Sequence, residues 1–121
     1  MGLNRTVAGV FGVVYLVVGI YGFATVPDGT LLGLFDVNEI HHVVHIVLGA
    51  ALLYGATSTP AAVMVNRAVG GVLIVVGLLG FVSEDGFGIM PLGGNDIWLH
   101  LVTGVILLAV GLMSRREMAA A

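Results

Sequence analysis

The chain has 121 residues, of which 59% are hydrophobic and 9% charged, with a formal net charge of −3 at pH 7 and a mean hydropathy of +1.13. This composition excludes an ordinary soluble domain and is typical of a polytopic membrane protein. No nucleic-acid partner is expected, although the net charge alone says nothing on this point because it hides an uneven distribution of charge along the chain. Because it contains no cysteine, disulfides, thiolate metal sites and thiol catalysis are excluded.

Four apolar stretches approach the length that crosses a bilayer, which is about 20 residues with a lower limit near 17. The sequence predicts spans at residues 6–25, 40–57, 68–83 and 97–113. The last two are short, so they should cross with little tilt or with local thinning of the bilayer. We therefore expect an all-α fold, a polytopic four-helix transmembrane bundle that forms a single domain over residues 1–121.

The charged residues divide between the two ends of the predicted bundle. Six of the seven acidic residues lie at one end. The opposite end carries all the arginines, Arg5, Arg67, Arg115 and Arg116. Cytoplasmic flanks retain positive charge, so both termini are expected on the cytoplasmic side of the cell membrane, with the acidic loops outside.

The chain is predicted to be a duplicated helical hairpin. Two pairs of segments match, residues 4–10 with 66–72 and residues 45–49 with 100–104. Each half contains two spans, so both halves enter the membrane with the same orientation, as parallel repeats about an axis along the membrane normal. The halves divide near residue 58, into about 1–58 and 59–121. His45 and His100 are then expected at equal depth.

Small and capping residues indicate how the helices begin and pack. Four asparagines precede apolar runs and are expected to be N-caps, namely Asn4, Asn38, Asn66 and Asn95. Pairs of glycines seven residues apart form stripes that allow close helix crossing: Gly12 and Gly19, Gly70 and Gly77, and Gly104 and Gly111. Any stripe left facing lipid would favour a homo-oligomer or docking into a larger membrane complex.

The histidines are the one place in the sequence where chemistry could occur, because ionisable side chains inside a spanning helix are expensive. In the second span, His41 and His45 project about 40° apart, with His42 about 60° beyond His45. A histidine pair four residues apart is a good clamp for a divalent metal. Candidate metal ligands are therefore His41, His45 and His100, with Asp96 or Glu39 completing the shell.

Two further interpretations of the histidines remain open. His45 and His100 could be the two axial ligands of a haem b, with Gly49 and Gly104, one turn below them, leaving room for the macrocycle. Alternatively the histidines are structural and hydrogen-bond to loop carbonyls, to one another or to polar caps such as Asn38 and Asn95, with Gly49 and Gly104 permitting close helix crossing. The structural interpretation is favoured and requires no cofactor.

No sequence motif indicates catalysis. The chain has no nucleophile with an adjacent base, no phosphate-binding loop and no dinucleotide fingerprint. The sequence therefore favours a structural or accessory membrane component without catalytic residues, and the alternative is a protein that binds a metal ion or haem. Its expected surroundings are the lipid bilayer and other copies or proteins within it.

The pattern Asn38-x-x-His41-His42-x-x-His45-x-x-x-Gly49, together with His100 in the second half, resembles the small membrane proteins catalogued as domain of unknown function 4383. The resemblance covers nearly the whole chain. In that family asparagine is more frequent at the position of His42, which weakens a ligand role for His42. The resemblance implies a four-helix membrane topology and no assigned activity.

Overall fold

The computed structural model of the protein describes residues 2–121 and is 76% helical. Its elements follow in the order α1 (Leu3–Thr25), β1 (Gly29–Leu31), β2 (Phe35–Val37), α2 (Glu39–Gly55), α3 (Thr59–Val82), α4 (Asn95–Leu112) and α5 (Arg115–Ala120). A short 3₁₀ turn at Gly86–Gly88 lies between α3 and α4. The architecture is thus a bundle of apolar helices with a small β-hairpin at one end.

Three helices, α1, α3 and α4, are long and apolar enough to cross a membrane, with 23, 24 and 18 residues. The apolar helix α2 is shorter, with 17 residues. Their outward faces are apolar as well, since Val17 and Val75 are 57% and 56% exposed. An apolar exterior of this extent fits a membrane protein, whose outer surface is solvated by lipid.

The third helix begins earlier than the sequence predicted, at Thr59 rather than near residue 68. The Ser58 hydroxyl accepts a hydrogen bond from the backbone N–H of Ala61, 3.3 Å away, and so caps the helix. Pro60 lies in the first turn, where a missing N–H removes no helical hydrogen bond. The Ser-Thr-Pro sequence at residues 58–60 therefore starts a helix.

The four asparagines have different roles from one another. Asn38 is the N-cap of α2, and its Oδ1 accepts a hydrogen bond from the backbone N–H of His41 at 2.9 Å. By contrast, Gly2 and Gly94 are the N-caps of α1 and α4, and Asn66 lies inside α3. The capping prediction is therefore wrong for Asn4, Asn66 and Asn95.

The two closest helix pairs are α1 with α2 and α3 with α4, and glycines bring their backbones together. A Cβ added at Gly49 would lie 2.5 Å from the backbone nitrogen of Leu16, and one added at Gly70 would lie 2.5 Å from that of Leu108. A Cβ at Gly104 would lie 2.9 Å from the backbone nitrogen of Ile74. The predicted glycine stripes thus serve contacts within the chain.

A two-stranded antiparallel hairpin, β1–β2, lies before α2 and was not predicted. Its inward side chains, Leu31 and Val37, are 3% and 5% exposed, so the hairpin packs onto the bundle. Leu32 and Gly33 turn the chain with φ of 55° and 69°. The all-α expectation is corrected by this short element, whose inward apolar side chains pack against the helices.

Polar contacts join the helices at the end of the bundle opposite the hairpin. Asn66 Nδ2 donates to Oδ1 of Asn4 at 3.0 Å, and Asn4 Nδ2 donates to Oε2 of Glu117 at 2.6 Å. Arg5 Nε donates to the Ala56 carbonyl and Arg67 Nε to the Gly111 carbonyl, each at 2.9 Å. The two asparagine bonds connect α1 to α3 and to α5. The two arginine bonds connect α1 to the end of α2 and α3 to the end of α4.

Candidate metal centre

Three histidines from two helices meet inside the bundle, at the end that carries the hairpin. The ring centroids are 4.9 Å apart for His41 and His45, 5.9 Å for His41 and His100, and 6.0 Å for His45 and His100. All three residues are at least 94% buried. One ring nitrogen of each lies within 4.8 Å of one on the other two. We call these three residues the imidazole cluster.

Each ring of the cluster has a buried nitrogen without a hydrogen-bond partner among residues 2–121. These atoms are Nδ1 of His41, Nε2 of His45 and Nδ1 of His100. We call them the donor nitrogens. Because buried polar atoms in native structures nearly always have a partner, these three atoms are candidate ligand atoms.

Local structure explains why the rings meet. His41 and His45 are four residues apart on α2 and therefore project from the same face. Asn38 caps α2 at the backbone N–H of His41, which fixes where the helix starts and hence where this face points. His100 enters from α4, the second helix of the other half of the chain.

Asp96 lies one helical turn before His100 and is 1% exposed. Its Oδ2 is 3.8 Å from Nε2 of His41, which is longer than a hydrogen bond. A carboxylate buried in an apolar region is stabilised by a cation or by hydrogen bonds to a polarised donor. Asp96 therefore lies beside the cluster, close to Nε2 of His41, the ring nitrogen that is not its donor nitrogen.

Tyr15 on α1 is part of the same region, and its role was missed from the sequence. Its ring stacks on His45, with centroids 4.9 Å apart and planes 14° apart. Its hydroxyl lies 2.7 Å from Oγ1 of Thr103, which itself donates to the Leu99 carbonyl, so Tyr15 is the donor. The contact of Tyr15 with His45 depends on how α1 packs against α2, which the sequence does not show.

His42 and Glu39 lie outside the cluster. The Nε2–H of His42 donates to the Val26 carbonyl at 2.6 Å, where α1 ends. The ring of His42 also occupies the space beside Gly22 of α1. His42 therefore joins α2 to α1. Glu39 is exposed at the first residue of α2 and faces away from the imidazole cluster's buried interior.

A cavity of about 130 Å³ adjoins the cluster. His41 and His45 form part of its wall, together with Asp96 and His42. The remaining wall is apolar and consists of Val18, Leu31, Leu32, Phe35, Val37 and Leu99. Two of the three residues of the imidazole cluster therefore line a space that the β-hairpin borders.

Residues 5–113 match the sequence model of a family described as "Domain of unknown function (DUF4383)". The chain belongs to this family. The matched segment contains the asparagine and histidines on which the resemblance was based, and it covers α1 to α4. No curated protein and no solved structure matches the chain.

In this DUF4383 chain, the predicted structural residues lie at helix contacts close to the cluster. Gly49 and Gly104 lie one turn below His45 and His100, where their backbones meet α1 and α3. Asn95 Nδ2 donates to the Leu34 carbonyl at 2.8 Å and Asn38 Nδ2 to the Ile89 carbonyl at 2.9 Å. Each of these asparagines thus joins its helix to the loop of the other half.

Proposed function

We propose that this protein is an integral membrane protein that binds a divalent transition-metal ion through His41, His45 and His100. The observation that carries the proposal is the convergence of three buried imidazoles, each of which offers one ring nitrogen within 4.8 Å of one on the other two and has a buried ring nitrogen without a partner in the described residues. Neutral imidazole is the commonest protein ligand of such ions. Asp96 supplies a nearby negative charge that favours a cation in an apolar environment.

A metal accounts for the donor nitrogens better than a purely structural role does. Histidines that only fastened the helices would hydrogen-bond through those atoms. Each buried polar atom left without a partner costs about 1–3 kcal/mol, so three of them at one point would oppose folding. A bound ion satisfies all three atoms at once.

The donor set narrows the class of metal. Three imidazoles suit zinc, copper or nickel, whereas magnesium and calcium prefer oxygen ligands. Zinc–nitrogen bonds of about 2.0–2.1 Å place tetrahedral ligands about 3.3 Å apart. Small rotations of the three rings would bring the donor nitrogens to that spacing, because His41 and His45 are on one helix face and His100 approaches from α4.

Haem binding by His45 and His100 is less well supported. His41 packs 4.9 Å from His45 on one side, and Tyr15 stacks on His45 at the same distance. A macrocycle between His45 and His100 would have to displace both rings. The adjoining cavity of about 130 Å³ has room for a molecule close to benzene in size, since a cavity of about 150 Å³ holds benzene.

An accessory role based on the glycine stripes is also less well supported. Gly12 and Gly19 lie against the backbone of α2, and Gly70 and Gly77 lie against α4. Gly111 faces the backbone of Arg67. These glycines are therefore used in packing the chain itself, and association with a partner would have to use other surfaces.

The proposed architecture is a four-helix transmembrane bundle of two parallel hairpins, residues 1–58 and 59–121. Equivalent contacts in the two halves support it. A Cβ at Gly49 would meet the carbonyl of Gly12, and a Cβ at Gly104 would meet the carbonyl of Gly70, each at 2.9 Å. The guanidinium bonds of Arg5 and Arg67 to the ends of α2 and α4 are a second matched pair.

We place the protein in the cell membrane with the arginine-bearing end in the cytoplasm. The four arginines support this orientation through the preference of cytoplasmic flanks for positive charge. The imidazole cluster then lies beneath the outer surface, under the β-hairpin.

Metal analysis of the purified protein tests the proposal. The detergent-solubilised chain is stripped with a chelator, incubated with Zn²⁺ and desalted, and zinc and protein are then quantified. We expect one zinc per chain, loss of zinc in His45→Ala and retention in Glu39→Gln. Elution as a single symmetrical peak shows that each variant is folded. A folded wild-type chain without zinc, or equal zinc in His45→Ala, would contradict the proposal.

A further inference from the structure

We propose that the metal centre keeps one coordination position open toward the adjoining cavity, and that this position binds a small apolar molecule bearing a single nitrogen or sulfur donor atom. The inference rests on the proposed metal binding and extends it from the ion to the ion's own ligand. It follows from the position of Asp96, the size and lining of the cavity, and the placement of the hairpin.

The ion is bound by the three imidazoles, and Asp96 acts on it through His41. When Nδ1 of His41 is the donor nitrogen, its Nε2–H is left for a second partner, and Oδ2 of Asp96 lies 3.8 Å from that nitrogen, just beyond hydrogen-bond distance. Metal-bound histidines characteristically donate their other ring N–H to a carboxylate, which fixes the ring and raises its basicity. Asp96 is therefore a positioning residue for His41, and the ion is held by three nitrogens.

Three protein ligands leave one coordination position of the ion open. A structural zinc site is closed by four protein ligands, whereas a site with three protein ligands leaves its fourth position to water or to an external molecule. His41 and His45 both form part of the cavity wall. An ion bound between them and His100 therefore lies at the edge of the cavity, and its open position faces that space.

The volume and the lining of the cavity limit which molecule can occupy it. Its volume of about 130 Å³ is close to that of a cavity of about 150 Å³ that holds benzene. Apart from the polar residues near the ion, the wall is formed by aliphatic side chains and Phe35. The fitting ligand therefore has an apolar body of about six non-hydrogen atoms and one donor atom, since further polar groups would be buried without partners.

A small molecule can reach the cavity from the side of the β-hairpin. Leu31 and Val37 of the hairpin are buried against the bundle, but Leu32 lines the cavity and is 68% exposed. Leu32, at the hairpin turn, thus lines the cavity and is also exposed to the surroundings of the protein. A small apolar molecule that has partitioned into the outer membrane interface can enter where Leu32 moves aside.

Cobalt spectroscopy with a pair of pyridines tests the inference. The purified chain is loaded with Co²⁺, whose visible bands respond to a change of ligand, and is titrated with pyridine or with 4-tert-butylpyridine. Both carry the same donor atom, but the second is too large for the cavity. We expect pyridine to shift the cobalt bands with saturation at one equivalent, and 4-tert-butylpyridine to bind at least tenfold more weakly.

A cavity-filling variant supplies the matched control. Val18→Phe adds volume to the wall without altering a metal ligand, so we expect it to retain Co²⁺ and to bind pyridine at least tenfold more weakly. Retention of stoichiometric Co²⁺ shows that the variant is folded. Cobalt bands that do not respond to pyridine, or that respond equally to both pyridines, would overturn the inference and leave metal binding standing. Failure to bind Co²⁺ would instead overturn the proposed function.

Discussion

Asp96 is the residue whose surroundings are most specific to a metal site. It is buried, lies one turn before His100, and is close to Nε2 of His41, the ring nitrogen that is not the donor nitrogen. We expect Asp96→Asn to weaken Zn²⁺ binding about 10–100-fold while leaving one site per chain, because the carboxylate orients a ligand rather than binding the ion. Competition with a chromophoric zinc chelator measures the affinity.

The control for this variant is Glu39→Gln, which removes an exposed carboxylate of α2 and should leave zinc affinity unchanged. An equal loss in both variants would show that Asp96 acts only through overall charge. Complete loss of the site in Asp96→Asn would show instead that Asp96 is a direct ligand.

The Tyr15 side chain makes two contacts, a hydrogen bond with Thr103 and a ring stacked on His45, and these can be tested separately. Tyr15→Phe removes the hydrogen bond to Thr103 and keeps the ring that stacks on His45. We expect zinc stoichiometry to be preserved and stability to fall by about 0.6 kcal/mol, the typical value for a hydrogen bond between membrane helices. Unfolding by a denaturing detergent measures the second quantity, and loss of zinc from Tyr15→Phe would contradict this assignment.

The sequence could predict the histidines of the site but not their neighbours. Helical periodicity puts His41 and His45 on one face, and the internal match relates His45 to His100. Tyr15 and the cavity depend on how α1 and the hairpin pack, which periodicity does not encode. Glu39 looked equivalent to Asp96 from spacing alone, and the difference between them is burial.

At the level of helices, glycines set the spacing of the two hairpins. We expect Gly49→Ala to destabilise the protein by about 1–3 kcal/mol, because the added methyl group would lie 2.5 Å from the backbone of Leu16 and the helices would have to separate. Gly71→Ala is the matched control, since its Cβ would meet open space within the described part of the chain. Denaturing-detergent titration measures both, and equal stability of the two variants would contradict this account.

The helices differ in how well their limits could be predicted. The ends of α1, α2 and α4 lie within about three residues of the predicted spans, because apolar runs there end where the helices end. The start of α3 was missed by about nine residues because Asn66 and Arg67 are polar but lie inside the helix. Their hydrogen bonds to Asn4 and Gly111, which the sequence does not show, make a helical path favourable there. The hairpin was missed because strands of three residues carry little periodicity.

At the scale of the whole molecule, the proposed orientation can be tested by chemical labelling. The chain contains no cysteine, so a single introduced thiol reports on one position. We expect Asp28→Cys, between α1 and the hairpin, to react with a membrane-impermeant maleimide in intact cells. Ala120→Cys in α5 should react only after permeabilisation. The reverse pattern would show that the arginine-bearing end is outside. Equal labelling of both would show that the two positions lie on the same side of the membrane, which requires an odd total number of crossings.

X-ray absorption at the metal edge of the zinc-loaded protein tests the central claim most directly. The cluster geometry predicts three imidazole nitrogens around each zinc at about 2.0–2.1 Å, with the remaining position taken by a light external ligand. We expect the imidazole contribution to fall in His100→Ala, because one of the three rings is then missing. A zinc shell made of oxygen atoms alone, unchanged by His100→Ala, would contradict the account.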